Sequence, residues 1–123
     1  MIVVDASVIV TGLADDGDSG DRVRARLRGE EMTAPHLIDL EVASAWRRLT
    51  AAGSLPERRA RMALDDLGSL RLRRVPHSPL VARCWELRDN LTIYDAAYVA
   101  LAELLDVVLV TADHRLAAAP AAR

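Results

Sequence analysis

Ile2, Val3 and Val4 form an unbroken apolar run at the start of the chain, and Val107, Val108, Leu109 and Val110 form a second near its end. Short, continuous, β-branched runs bounded by polar residues are the pattern of strands covered on both faces, as in a parallel sheet. Two shorter candidates lie between them, "MTA" at 32 to 34 and "LRLRRV" at 70 to 75. In the second, Leu70 and Leu72 alternate with Arg71 and Arg73, so one face is wet, which suits the edge of a sheet. Elsewhere apolar positions recur at helical spacing, at about 7 to 13, 19 to 28, 36 to 52, 56 to 67, 79 to 89 and 93 to 105. Breaks fall at "DDGDSG", "AAGSLP" and "VPHSP", the first reading as a solvated loop. Strands alternating with helices predict an α/β fold with right-handed crossovers.

Four acids stand out against this pattern. Asp5 closes the first strand and Asp113 the last, and in open parallel sheets the carboxyl ends of the strands form the ligand crevice. Glu41 lies early in the helix that follows "MTA", with Ser44 and Ala45 as its i+3 and i+4 neighbours. Asp95 lies early in the helix that precedes the last strand, facing Leu91, Tyr98 and Val99 at helical spacing, with no Lys or Arg to pair with. Each has a structural explanation by itself. Asp5 and Asp113 suit helix caps, Glu41 a surface position, and Asp95 a capping box with Thr92.

Together the four call for a cation. Two unit charges about 4 Å apart repel by about 4 kcal/mol at an effective dielectric of about 20, so converging carboxylates need neutralising. Oxygen-only ligands favour a hard ion, Mg²⁺ or Mn²⁺, over zinc. Such ions bridge protein carboxylates to phosphate oxygens and activate water for in-line displacement at phosphorus.

Length and composition narrow the classes. A chain of 123 residues, 51% hydrophobic and 28% charged, predicts a single globular domain over 1–123. No run of 18 apolar residues offers a membrane span, and "MIVVDAS" enters an apolar strand without a basic leader, so a cytoplasmic protein with no membrane partner is expected. The single Cys84 sits in a helical pattern and reads as a buried structural thiol. A net charge of −2 argues against holding nucleic acid by bulk positive charge. All 16 basic residues are arginine, so lysine-dependent chemistry is excluded, including a phospho-receiver or haloacid-dehalogenase-like site. There is no phosphate-cradling glycine loop, and His36, His77 and His114 stand apart from any nucleophile motif, as structural or surface residues.

"MIVVDAS" with Asp5, "LEVASAW" with Glu41, "LTIYDAAYVALAE" with Asp95 and "LVTADHRL" with Asp113 resemble the PIN-domain ribonucleases, most of all the VapC toxins of bacterial toxin-antitoxin pairs. The likeness runs in order over nearly the whole chain, and "YDAAYVALAE" followed by "LVTAD" is its most specific part. It implies a three-layer α/β/α fold around a mostly parallel sheet of four to five strands. It also implies a Mg²⁺-dependent endoribonuclease, leaving 5′-phosphate and 3′-hydroxyl ends, and a cognate VapB antitoxin whose tail covers the site. Asp5, Glu41, Asp95 and Asp113 match the family's acidic quartet, expected to hold one or two Mg²⁺, with Mn²⁺ as substitute. Ser7 and Thr111 match its small hydroxyl positions beside the metal. Many relatives continue into a final strand, whereas this sequence ends at "HRLAAAPAAR".

A homodimer is expected because the helix at 36 to 52 reads as apolar nearly all round, with Leu40, Val42, Ala43 and Trp46 lying off the Glu41 face. The partner surface would add the helix at 79 to 89. Arginines at 22, 24, 26, 28, 47, 48, 58, 59 and 61 offer a path for RNA phosphates, although most of them read as solvated helix faces. Two alternatives to the toxin reading are a PIN nuclease of RNA processing and a catalytically idle scaffold that binds a partner or RNA; the intact quartet speaks against the second.

Overall fold

A computed structural model of the chain describes residues 1–117. Four strands, β1 (Ile2–Val4), β2 (Met32–Pro35), β3 (Leu72–Val75) and β4 (Leu109–Val110), form a sheet in the order β3-β2-β1-β4. Every pairing is parallel, with Val3 opposite both Thr33 and Leu109, and Thr33 opposite Arg73. Parallel neighbours cannot be joined by tight turns, so helices carry each crossover. These are α1 (Ala6–Ala14), α2 (Asp18–Leu27), α3 (Ile38–Ala51), α4 (Glu57–Ser69), α5 (Val81–Glu86) and α6 (Ile93–Leu105), with α7 (His114–Ala117) after β4. The α/β fold and the parallel sheet predicted from the periodicity are both present, and β3 is an edge strand as its alternation requires. Residues 118–123, where a final strand was in question, lie outside the described residues.

Ile2, Val3 and Val4 are all buried, as a central strand covered on both faces must be. Helices α1 to α4 pack among themselves, α5 packs on α6, and α6 lies against β1, β2 and β4. Residues Ala96 to Ala102 of α6 are all buried, and the alanines among them let the helix approach the strands closely.

Several boundaries depart from the sequence reading for local reasons. Strand β4 starts at Leu109 rather than Val107, because Asp106 closes α6 in the left-handed conformation (φ 54°) and the Val107 N–H is tied back to the Ala102 carbonyl at 3.0 Å. Val108 is accordingly exposed. The segment expected as one helix at 79 to 89 is a 3-10 turn, Ser78–Leu80, followed by the short α5. The second half of "DDGDSG" is not loop but the first turn of α2. There Gly20 lies so close to the end of α1 that a Cβ on it would stand 1.8 Å from the Asp15 carbonyl oxygen. Arg24 locks the same corner by donating to the carbonyls of Gly12 (3.0 Å) and Asp15 (2.8 Å).

The all-round apolar reading of α3 does not hold. Val42 and Trp46 are fully buried within the chain's own core, Trp46 donating its indole N–H to the Val10 carbonyl at 3.3 Å, so of the large apolar side chains of α3 only Leu40 (77% exposed) and Leu49 face outward. The helices α1 and α4, which both pack on α3, supply the cover that the sequence left unassigned. Cys84 is buried, as expected of a structural thiol.

Candidate active site

Asp5 is the residue at which β1 becomes α1. Its N–H donates to the Val110 carbonyl at 3.3 Å, prolonging the ladder to β4, and its side chain then caps α1 by accepting from the Val8 N–H at 3.3 Å. The carboxylate is 4% exposed and is held from both sides: Ser7 Oγ donates to Oδ1 at 2.6 Å and Thr111 Oγ1 to Oδ2 at 2.5 Å. Both hydroxyls also accept from the segment after β4, Ser7 from the Ala112 N–H (3.1 Å) and Thr111 from the Asp113 N–H (3.0 Å). The start of α1 and the exit of β4 are thus clasped across the sheet end, with Asp5 between them.

Glu41 enters from the first turn of α3, half-buried, and has no cationic partner among the described residues. Its Oε1 accepts instead from the Tyr98 hydroxyl of α6 at 2.5 Å. Burial pushes the carboxyl groups of Asp5 and Glu41 above their ordinary values, against the opposing effect of these hydroxyl donors. The neighbouring acids push the same way, Asp113 acting on Asp5, and Asp95 and Asp5 acting on Glu41. The four carboxylates therefore sense one another in a linked row, and Tyr98, buried beside it, is held far above the normal phenol range.

Asp95 and Asp113 form the outer end of the row. Thr92 caps α6 by accepting from the Asp95 N–H at 3.1 Å, so the capping half of the structural explanation is present. The carboxylate itself turns elsewhere. Its Oδ2 accepts from Arg115 at 3.2 Å, and the same guanidinium lies 3.6 Å from Asp113 Oδ2, which corrects the expectation that Asp95 has no cation near it. Arg115 was out of reach of i+4 reasoning because it comes from α7, 20 residues further on. Asp113 also caps α7, accepting from the N–H groups of Arg115 (2.9 Å) and Leu116 (3.4 Å). Tyr98 was missed as well, although its i+3 spacing from Asp95 puts the two on one helix face.

One guanidinium against four carboxylates leaves the row strongly negative, and Arg115 touches neither Asp5 nor Glu41 among the described residues. Among those residues no three acid, His or Cys side chains close around a single point. An open row of oxygen donors suits Mg²⁺ nonetheless, because that ion keeps several waters and takes only one or two carboxylates from a protein. The donor set thus fits a hard divalent cation and leaves faces free for phosphate oxygens.

The sequence matches the profile of the PIN domain over residues 2–122. It is 50% identical to "Ribonuclease VapC1" of Mycobacterium tuberculosis over 119 residues, which make up 96% of this chain and 90% of that protein. In fold it is similar to Mycobacterium tuberculosis VapC20, described as a sarcin-ricin loop cleaving toxin, with a TM-score of 0.73 at 16% identity over 98% of this chain and 95% of that one. A toxin-antitoxin complex from Klebsiella pneumoniae gives a TM-score of 0.65 at 20% identity, covering 100% of this chain and 96% of that one. With its parallel sheet, its match to that profile and these relatives, the chain belongs to the PIN-domain family, in its VapC branch.

Proposed function

We propose that the protein is a Mg²⁺-dependent endoribonuclease acting as the toxin of a toxin-antitoxin pair, a reading carried by the buried Asp5 and half-buried Glu41, two carboxylates with no cation of their own. The relatives named as ribonucleases support the reaction type. In this reading Asp5, Glu41, Asp95 and Asp113 would hold one or two Mg²⁺ ions between them, each ion directly by one or two carboxylates and otherwise through water. Bound Mg²⁺ or Mn²⁺ supplies charge neutralisation and Lewis-acid activation of water and phosphate. Ser7 and Thr111 orient both Asp5 oxygens, Tyr98 orients Glu41, and Arg115 restrains the outer acids. The scissile phosphate lies over the open side of the row, and cleavage leaves 5′-phosphate and 3′-hydroxyl ends. The site works in the cytoplasm, where RNA is met, and a VapB-type antitoxin silences it by covering the row. Leu40, Val81 and Trp85, all exposed, support a homodimer.

The test is RNA cleavage by the purified protein with Mg²⁺, with Mn²⁺ and after EDTA, together with Glu41→Gln. Cleavage by the wild type should vanish in EDTA and return with either metal, Glu41→Gln should not cleave with either, and the protein should scatter light as a species of twice 13.4 kDa. Undiminished cleavage in EDTA would refute the metal, and a strictly monomeric protein at high concentration would refute the dimer.

A further inference from the structure

A groove of about 540 Å³ runs between α1, α2 and the exit of β4; apolar side chains of all three elements line part of it, and so does Thr111, whose hydroxyl is bonded to Asp5. We infer that this groove, lined by Arg22, Arg26, Ser19 and His114, is the track that carries the phosphodiester backbone of the RNA strand into the acidic row. The inference rests on the nuclease reading for its choice of ligand, and on the arrangement of the arginines for its location.

Arginines on one helix do different work here. Arg24 turns into the α1–α2 corner, where it is spent on two carbonyls and Asp21. Arg22 and Arg26, four residues apart and so on one face, both line the groove and are exposed. Arg22 has no carboxylate partner among the described residues; its guanidinium donates to Ser19 Oγ at 3.3 Å. Arg26 pairs with Glu30 at 2.6 Å, a surface contact within one chain segment that contributes little and exchanges readily for phosphate. His114 adds a ring donor next to Asp113.

Continuity with the site is the second support. A polyanion approaching four carboxylates is repelled, and a net charge of −2 gives no general attraction, so the strand needs local cations at the mouth of the site. The two unspent or weakly spent arginines of α2 line the same groove as Thr111, the residue that holds Asp5. Single-stranded RNA fits such a contact because guanidinium groups bind phosphate oxygens in paired fashion without reading sequence.

The test measures binding of a short fluorescein-labelled oligoribonucleotide of mixed sequence, by anisotropy over a salt series in EDTA, where the proposed chemistry is silent. Arg22→Ala should weaken binding several-fold and lower the slope of log K against log salt by about 0.7, the loss of one single-strand phosphate contact, and Arg22→Ala with Arg26→Ala by about twice that. Arg22→Lys should retain the slope, and Arg71→Ala with Arg73→Ala on the opposite sheet edge should change nothing. In cleavage assays the double variant should raise KM with little change in kcat. Thermal melts confirm that each variant is folded. Equal affinity and slope in the wild type and the double variant would overturn the track while leaving cleavage, and hence the nuclease reading, intact. Loss of binding to an acidic protein partner with unchanged RNA binding would overturn it too. A wild type that binds RNA with this arginine-dependent slope but never cleaves it would sink the nuclease reading and keep the track.

Discussion

Among the described residues the Tyr98 hydroxyl is the one donor to the Glu41 carboxylate, and it links α6 to α3 across the sheet end. Removing it leaves a half-buried carboxylate without its bond, a loss of about 1 to 3 kcal/mol. Tyr98→Phe should therefore lower stability by that order. In a Glu41→Gln background, where the stranded group is neutral, the loss should shrink. Urea melts of the four proteins in the cycle check this, and equal losses in both backgrounds would show that Tyr98 acts only by packing. Asp95 carries the same double duty in another form. Its backbone N–H is what Thr92 caps, while its carboxylate reaches Arg115, so the cap and the site use different atoms of one residue. A helix start thus leaves the Asp95 carboxylate free for the role proposed above, whereas Asp5 and Asp113 each cap the helix that follows with a carboxylate oxygen, Oδ1.

Among elements, the α1–α2 corner is the most tightly constrained. Ala at position 20 gains helix propensity of up to about 1 kcal/mol, yet its methyl would overlap a backbone carbonyl that cannot swing away as a flexible side chain would. Gly20→Ala should destabilise by about 1 to 3 kcal/mol net, read as a lowered urea midpoint at unchanged m. An unchanged midpoint would mean that the corner yields freely. This contact shows why some of the fold was legible and some was not. The strands β1 and β3, the order of helices and the acids at the strand ends follow from apolar periodicity and from where each run stops. The close approach at Gly20, the early exit of Val107 into the last turn of α6 and the burial of Trp46 depend on neighbours distant in sequence, which no local period encodes. Arg115 and Tyr98 were hidden for the same reason: each meets its acid across the fold, or through a helix face whose other side was unknown.

For the molecule as a whole, the acidic row couples stability to pH. The folded chain keeps protons on Asp5 and Glu41 at a pH where the unfolded chain has released them, since burial raises both groups. Between the ordinary carboxylate range, about pH 4, and those raised values the folded state binds more protons, so stability falls as pH rises through that window. Metal-free protein should melt at a higher temperature in mildly acidic than in neutral buffer, as far as these groups govern it, and the gain in melting temperature on adding Mg²⁺ should grow with pH. Glu41→Gln should flatten both trends; melts of that variant with the full wild-type slope would assign the effect elsewhere. The clasp between Asp5 and Thr111 has a further consequence, in time rather than in energy. It joins positions 106 apart, and β1, one of the two inner strands, gains its second neighbour only from β4. Synthesis proceeds from the N-terminus, so β1 must wait for β4 to leave the ribosome before this end of the sheet exists. A nascent chain that has not yet reached Leu109 lacks both the second neighbour of β1 and the hydroxyl that holds Asp5 Oδ2, so the clasp closes only once β4 has been made.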